Sequence, residues 1–177
     1  MFLLKSTTRQ SFRIVRRAMS GTSLHSESLA QPAQFWSKAA QEIDWMKAGG
    51  SIVGSNEHFP NWFSERTLNM AVNCVFRHIP ARASQAAIIY DSPVTETSTT
   101  ISYGELAEKV IQFAGALQAE GVGKGDRVLI YMPNIPEAAV AMLASATLGA
   151  IHSVVFGGFA PTELATRIRD CNPKVFL

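Results

Sequence analysis

The chain has 177 residues, 47% of them apolar, with 16 Lys and Arg against 14 Asp and Glu for a formal net charge of +2. That length and apolar fraction fit a globular protein with one sizeable core. Five of the 16 basic side chains lie within residues 1–26, leaving 11 against 14 acidic ones, so the body has no basic surface of the kind that binds nucleic acid.

The head, "MFLLKSTTRQSFRIVRRAMSGTSLHS" (1–26), holds Lys5, Arg9, Arg13, Arg16 and Arg17 and no acid. Helical spacing puts Arg9, Arg13 and Arg16/Arg17 on one face. This is the make-up of a mitochondrial transit peptide, which predicts delivery to the matrix with processing near Met19–Ser20. Its arginines interrupt what would be the apolar core of a secretory signal. Two plainer alternatives stand beside it: a disordered basic tail, or a second start at Met19 that yields a cytosolic form.

"PAQFWSKAAQEIDWMK" (32–47) predicts a helix with a stripe of Phe35, Ala39, Ile43 and Met46. "AGGSIVGSNEHFPNWFSE" then reads as a loop whose aromatics, Phe59, Trp62 and Phe63, drape over a core. "TLNMAVNCVFRHI" (67–79) predicts a second helix ended by Pro80. "AAIIYD" (86–91) is strand-like, and "SPVTETSTT" carries turn and linker chemistry. "ISYGELAEKVIQFAGALQAEGVGKGD" contains the clearest helix. Ser102 and Glu105 form a capping box, Leu106, Val110, Phe113 and Leu117 line one face, and Gly121 supplies the stop. "RVLIYM" (127–132) is a strand. "PNIPEAAVAMLASATLGA" is a helix from Pro136 to Gly149, apolar nearly all round and so buried on more than one side. "IHSVVF" (151–156), "PTELATRIRDC" and "KVFL" complete the alternation as strand, helix and the opening of another strand.

This rhythm predicts a parallel α/β sheet, with the apolar runs "VLIYM" and "HSVVF" covered on both faces. No apolar run approaches the ~20 residues of a membrane span. Cys74 and Cys171 read as reduced, buried small hydrophobes, and the four scattered histidines give no metal-ligand spacing.

Chemistry concentrates at Gly157-Gly158, between a strand and the helix opening at Pro161. Open parallel sheets hold ligands beyond the carboxyl ends of strands, and the free N–H groups of the next helix favour an anion. The competing reading is a tight turn that needs positive φ. The spacing is not G-x-G-x-x-G, so a nicotinamide-dinucleotide oxidoreductase is unsupported. "GVGKGD" (121–126) lacks the phosphate-loop spacing and reads as a helix stop with Lys124 solvated and Asp126 and Arg127 as turn residues. Arg167 and Arg169, two apart on a helix, face different ways. No nucleophile, base and orienter can be assembled, so no catalytic residue is assigned.

"HSVVFGGFAPTELATRI" resembles the corresponding stretch of acetyl- and propionyl-CoA synthetases, of the adenylate-forming superfamily. "FWSKAAQEIDWMK" is similar to their N-terminal cap helix, and "LNMAVNCVFRH" to a segment with two asparagines, here Asn69 and Asn73. "GVGKGDRVLIYMPNIPEAAVAMLASATLGAIHSVVFGGF" is a long match, and "YDSPVT" resembles the propionate–CoA ligase branch. Phe76, where the family has an acid, and "FSERTLN", without the usual Gly, depart from the pattern.

The resemblance implies a cap over residues 30–85 and the start of an AMP-binding domain over 86–177, incomplete because the last strand is cut off. It implies that a short-chain carboxylate, ATP and Mg²⁺ give an acyl-adenylate and pyrophosphate, from which CoA displaces AMP. It places Phe156, Gly157 and Gly158 in the pocket for the nucleotide part of CoA. The phosphate loop, ribose aspartate and mobile-domain lysine of the family are not among these residues, so the chain is not expected to catalyse adenylation alone. The alternative from another class is a non-catalytic CoA-binding or interaction module that associates with a full-length synthetase.

Overall fold

The computed structural model describes residues 21–54 and 61–177. Residues 1–20 of the proposed leader, and Phe59 of the aromatic loop, lie outside the described residues. The described residues fall into two compact units, one of residues up to Ile43 with Lys47–Arg66, the other of Asp44–Met46 with Thr67–Leu177.

The first unit carries helices α1 (Gly21–Ala30) and α2 (Pro32–Ala39), the latter with Pro at its start and followed by one 3-10 turn, Ala40–Glu42. The helix predicted over 32–47 therefore stops early. Ile43 is extended (φ −103°, ψ 132°), and Met46, assigned to the apolar stripe, is exposed. Of the loop aromatics, Trp62 meets Trp36 of α2 edge-on with centroids 5.6 Å apart, and Trp36 in turn meets Phe35 at 5.1 Å. Gly50 (φ +63°) admits this loop, because a Cβ there would lie 1.8 Å from the Ser64 carbonyl oxygen.

In the second unit Asp44 takes no part in a helix. Its N–H donates to Asn73 Oδ1 (2.9 Å), and its carbonyl accepts from Asn73 Nδ2 (3.0 Å). A carboxamide thus pairs both backbone groups of Asp44, as a neighbouring strand would. Arg77 closes the cluster, Nη1 on Asn73 Oδ1 (3.0 Å) and Nε 3.4 Å from the Asp44 carboxylate.

Asn69 caps α3 (Met70–Cys74), which leads through a 3-10 turn (Phe76–His78) into α4 (Ile79–Arg82). Pro80 does not end a helix, as the sequence predicted. It sits in the first turn of α4, where a missing N–H costs nothing.

β1 (Ala86–Ser92) pairs with β2 (Thr97–Ser102) as an antiparallel hairpin. Half of the segment read as turn and linker is therefore strand, and β1 is not a member of the parallel sheet. The β-branched "TSTTI" suits a strand, but both faces of β2 are largely exposed, so no apolar alternation announces it.

α5 (Tyr103–Ala119) starts with the predicted capping box, and Gly121 (φ +80°) follows its end. Then come β3 (Arg127–Met132), α6 (Pro136–Thr147), β4 (Ile151–Phe156), α7 (Pro161–Cys171) and β5 (Val175–Phe176). The three strands are parallel in the order β4-β3-β5. Val128 and Ile130 on one face of β3 join Val110, Leu117, Val140, Ala141 and Ala144 in the core. Leu129 and Val155, outside that cluster, are buried as well. α6 packs against α5, α3, β3 and β4, which matches its all-round apolar sequence.

Two expectations fail here. β4 is an edge of the described sheet, and Ile151, Val154 and Phe156 are 50–66% exposed, so "HSVVF" is not covered on both faces. Cys74 is exposed and Cys171 half-buried, both free thiols, rather than buried hydrophobes.

Asp126 and Arg127 are more than turn residues. Asp126 accepts from Gly123 N–H (2.8 Å) and Lys174 Nζ (3.1 Å). Arg127 donates to the carbonyls of Cys171 (3.2 Å) and Asn172 (2.9 Å), closing the C-terminal end of α7.

Candidate functional site

β3 leads to β4 in one direction across the sheet, and β4 leads back past β3 to β5 in the other. Right-handed crossovers then place α6 and α7 on opposite faces. The carboxyl ends of β3 and β4 therefore part around a topological switch point, where open α/β sheets hold ligands. A groove of about 660 Å³ lies there, walled by Tyr131–Asn134 on one side and Val154–Gly158 on the other. Phe156, Gly157 and Gly158, singled out in the sequence, come together in it.

The chain does turn at Gly157-Gly158, with Phe159 N–H donating to the Phe156 carbonyl (3.1 Å), but neither glycine has a positive φ, so the turn does not need glycine on that ground. Space is the reason for both. A Cβ on Gly157 would approach the Met132 carbonyl oxygen to 3.3 Å, and one on Gly158 would lie 2.6 Å from the Phe156 ring. Glycine at 157 lets the β4 end lie against the β3 end, and glycine at 158 leaves room for the ring. Phe156 is 66% exposed, its ring edge-on to Phe159 at 5.9 Å. It is an apolar plate open to solvent at the groove wall.

Arg167 lies over the Phe159 ring at 4.8 Å, while Arg169 turns to Thr166 Oγ1 (3.4 Å). The two arginines do face different ways. At the head of α7 no side chain caps the helix, and Glu163 occupies the first turn, opposing an anion bound there.

The opposite wall was missed in the sequence. Tyr131 Oη donates to the carbonyls of Gly157 (3.0 Å) and Phe159 (3.2 Å). "YMPN" carried a signal, since it leaves the central strand beside the switch point, but only the strand order reveals that. A second hollow of about 420 Å³, largely apolar, lies between α5 and α6 and includes Phe113, Met132, Pro136 and Val140, with Lys109 and Glu137 also lining it.

Two carboxyls are held below their usual range, and both serve the fold. The Gly123 N–H, then Lys174, lowers Asp126; the Ser102 N–H, then its hydroxyl, lowers Glu105. Among the described residues no group of three or more His, Cys, Asp and Glu could hold a metal ion. Among them, too, no helix is long and apolar enough to cross a membrane.

Residues 22–74 match the family described as acetyl-coenzyme A synthetase N-terminus, and residues 76–177 that described as AMP-binding enzyme. Acyl-CoA synthetase short-chain family member 3, mitochondrial, of Rattus norvegicus is 52% identical over 151 residues, 84% of this chain and 22% of that protein. Acetyl-coenzyme A synthetase of Methylobacterium radiotolerans is 46% identical over 160 residues, 87% of this chain and 24% of that protein. The structure of acetoacetyl-CoA synthetase from Streptomyces lividans superposes with a TM-score of 0.80 at 28% identity, covering 88% of this chain and 24% of that one. The chain spans about a quarter of the length of these relatives. With a family match across more than half of its residues and a mixed α/β fold to suit, it belongs to the AMP-binding enzymes and corresponds to the N-terminal portion of the acetyl-/propionyl-CoA synthetase family.

Proposed function

We propose that the strand-end groove receives the nucleotide part of CoA, on behalf of a short-chain acyl-CoA synthetase to which this portion belongs. The observation that carries the reading is the place of Phe156, Gly157 and Gly158 on one wall of a groove at the switch point of the sheet. An exposed aromatic plate suits a purine face, and stacking of a base on such a ring contributes about 1–3 kcal/mol. The glycines keep the wall low beside it. The groove carries no acid or metal-ligand cluster, which fits a binding role and assigns no chemical step to these residues.

For the whole protein the reaction is a short-chain carboxylate, propionate by the "YDSPVT" segment, with ATP and CoA giving acyl-CoA, AMP and pyrophosphate through an acyl-adenylate. Mg²⁺ would shield the phosphates when bound. The basic leader, and relatives described as mitochondrial, support the matrix as its destination.

Titration of CoA, and of adenosine 3′,5′-bisphosphate as the nucleotide alone, into the purified chain tests the site. Saturable binding lost in Phe156→Ala supports it. Absence of binding at millimolar CoA refutes the site assignment. Propionate-dependent exchange of pyrophosphate into ATP by the chain alone would overturn its assignment as a non-catalytic portion. Residues 1–26 fused to a reporter should deliver it to the mitochondrial matrix, and a reporter left in the cytosol would refute the leader.

A further inference from the structure

Tyr131 stands at the end of the central strand, on the wall opposite the two glycines. Its ring is stacked against Phe176 of β5, centroids 6.5 Å apart and planes 18° from parallel. Its backbone N–H donates to the Leu177 carbonyl at 2.9 Å. The side chain is thus held on a paired strand, and only its hydroxyl reaches across to the β4 end. There one O–H is shared between two carbonyl oxygens, those of Gly157 and Phe159.

The segment it touches follows the last β3–β4 pair, Met132 with Phe156, and beyond that pair few contacts hold it. Among the described residues, the backbone bond Phe159 N–H to Phe156 carbonyl (3.1 Å) closes the turn. Arg167 lies over Phe159, and the Phe159 ring meets Phe156 edge-on. No side chain other than Tyr131 makes a hydrogen bond to residues 157–159 among the described bonds. Gly157 and Gly158 lack a Cβ, so their peptide planes rotate at small steric cost. What fixes those planes sets the direction of the amides and the tilt of Phe156 above the groove.

We propose that Tyr131 is a positioning residue of the groove: its hydroxyl, donating to the Gly157 and Phe159 carbonyls, fixes the Phe156–Phe159 turn in the orientation that receives a nucleotide. The proposal rests on the groove being the CoA site. Tyr131 touches no reacting atom in this scheme, and its effect is on affinity for CoA through the turn.

The test is Tyr131→Phe, which keeps the ring and its stack on Phe176 and removes only the hydroxyl. CoA is titrated into the wild-type chain and the variant, and amide hydrogen exchange is read residue by residue in both without ligand. One hydrogen bond of ordinary strength corresponds to a loss of about three- to tenfold in affinity. Exchange should accelerate at Gly157, Gly158 and Phe159 and stay as it was in β3 and α6. Equal CoA affinity in the two proteins overturns the proposal and leaves the site standing. A rise in exchange spread evenly over β3 and α6 marks a merely structural hydroxyl and also overturns it. If the wild type binds no CoA, the site assignment falls, and with it positioning for CoA. Exchange at 157–159 then decides whether Tyr131 holds the turn at all, and an unchanged rate there refutes that too.

Discussion

Asn69→Asp changes one donor group into an acceptor at almost constant size. The native Oδ1 accepts from the N–H groups of Ala71 (2.9 Å) and Val72 (3.3 Å), capping α3. The native Nδ2 donates to the carbonyls of Ala146 (3.0 Å) and Thr147 (3.2 Å), at the C-terminal end of α6. One carboxamide thus ties the start of one helix to the end of another. Aspartate keeps the cap, and its charge at a helix N-terminus is worth about 0.5 kcal/mol. It also sets a carboxylate oxygen against two carbonyl oxygens. The two lost bonds, at about 1 kcal/mol each, outweigh the gain, for a net destabilisation of about 1.5 kcal/mol. Asn69→Ala loses the cap too, about 1 kcal/mol more than the two bonds alone, for about 3 kcal/mol.

Urea unfolding followed at 222 nm, where α5 and α6 dominate the signal, should order the midpoints wild type, Asp, Ala at unchanged slope. Below about pH 4 the introduced carboxyl protonates and can donate again, so the gap between Asp and wild type should narrow. An Asn69→Asp protein as stable as wild type would refute the reasoning, because the cap would then be all that the side chain contributes.

The remaining expectations concern the groove, the turns and acid. Gly158→Ala should lower CoA affinity with little loss of stability, since the Cβ displaces only the exposed Phe156 ring; titration and a thermal melt check the two halves. Gly50→Ala should cost more than 2 kcal/mol, because positive φ and a 1.8 Å approach to the Ser64 carbonyl compound each other; denaturant unfolding of the first unit reads it. The folded carboxyl of Asp126 is held below its ordinary value, so its stabilisation is present above the unfolded pKa and is lost as pH falls through the depressed folded one. Asp126→Asn should flatten that acid limb, and an unchanged pH profile would show that the Gly123 and Lys174 bonds contribute nothing.

The parallel half of the fold was legible because its signals were local and redundant. A capping box starts α5, glycines with positive φ follow α5 and α6, and β3 is an unbroken apolar run. The misreadings share a different cause. The helix read over 32–47 does not reach Asp44, whose two backbone groups are taken by Asn73, 29 residues on, and no local pattern encodes a partner at that distance. β2 is a strand through its pairing with β1, and its exposed faces leave no apolar period to read. Pro80 was read as a helix stop, yet a ring that can end one helix also suits the first turn of another, and there it sits.

The candidate site was legible on one wall only. Gly-Gly at a strand end pointed to a close approach, and the approach is there, but to Met132 and the Phe156 ring of the chain itself rather than through a strained φ. Those glycines would be needed with no ligand present, so their identity alone does not argue for one. The stronger argument is topological. α6 and α7 leave adjacent strands toward opposite faces, and that divergence opens the groove whatever the residues at its mouth. Sequence shows which residues stand at the ends of strands, while strand order decides which ends are neighbours. Tyr131 could be placed opposite Gly157 only once β3 was known to lie beside β4, in a register that sets Tyr131 against Val155. From that register its hydroxyl reaches the turn two residues beyond, which makes the opposing wall as much a part of the site as the glycines.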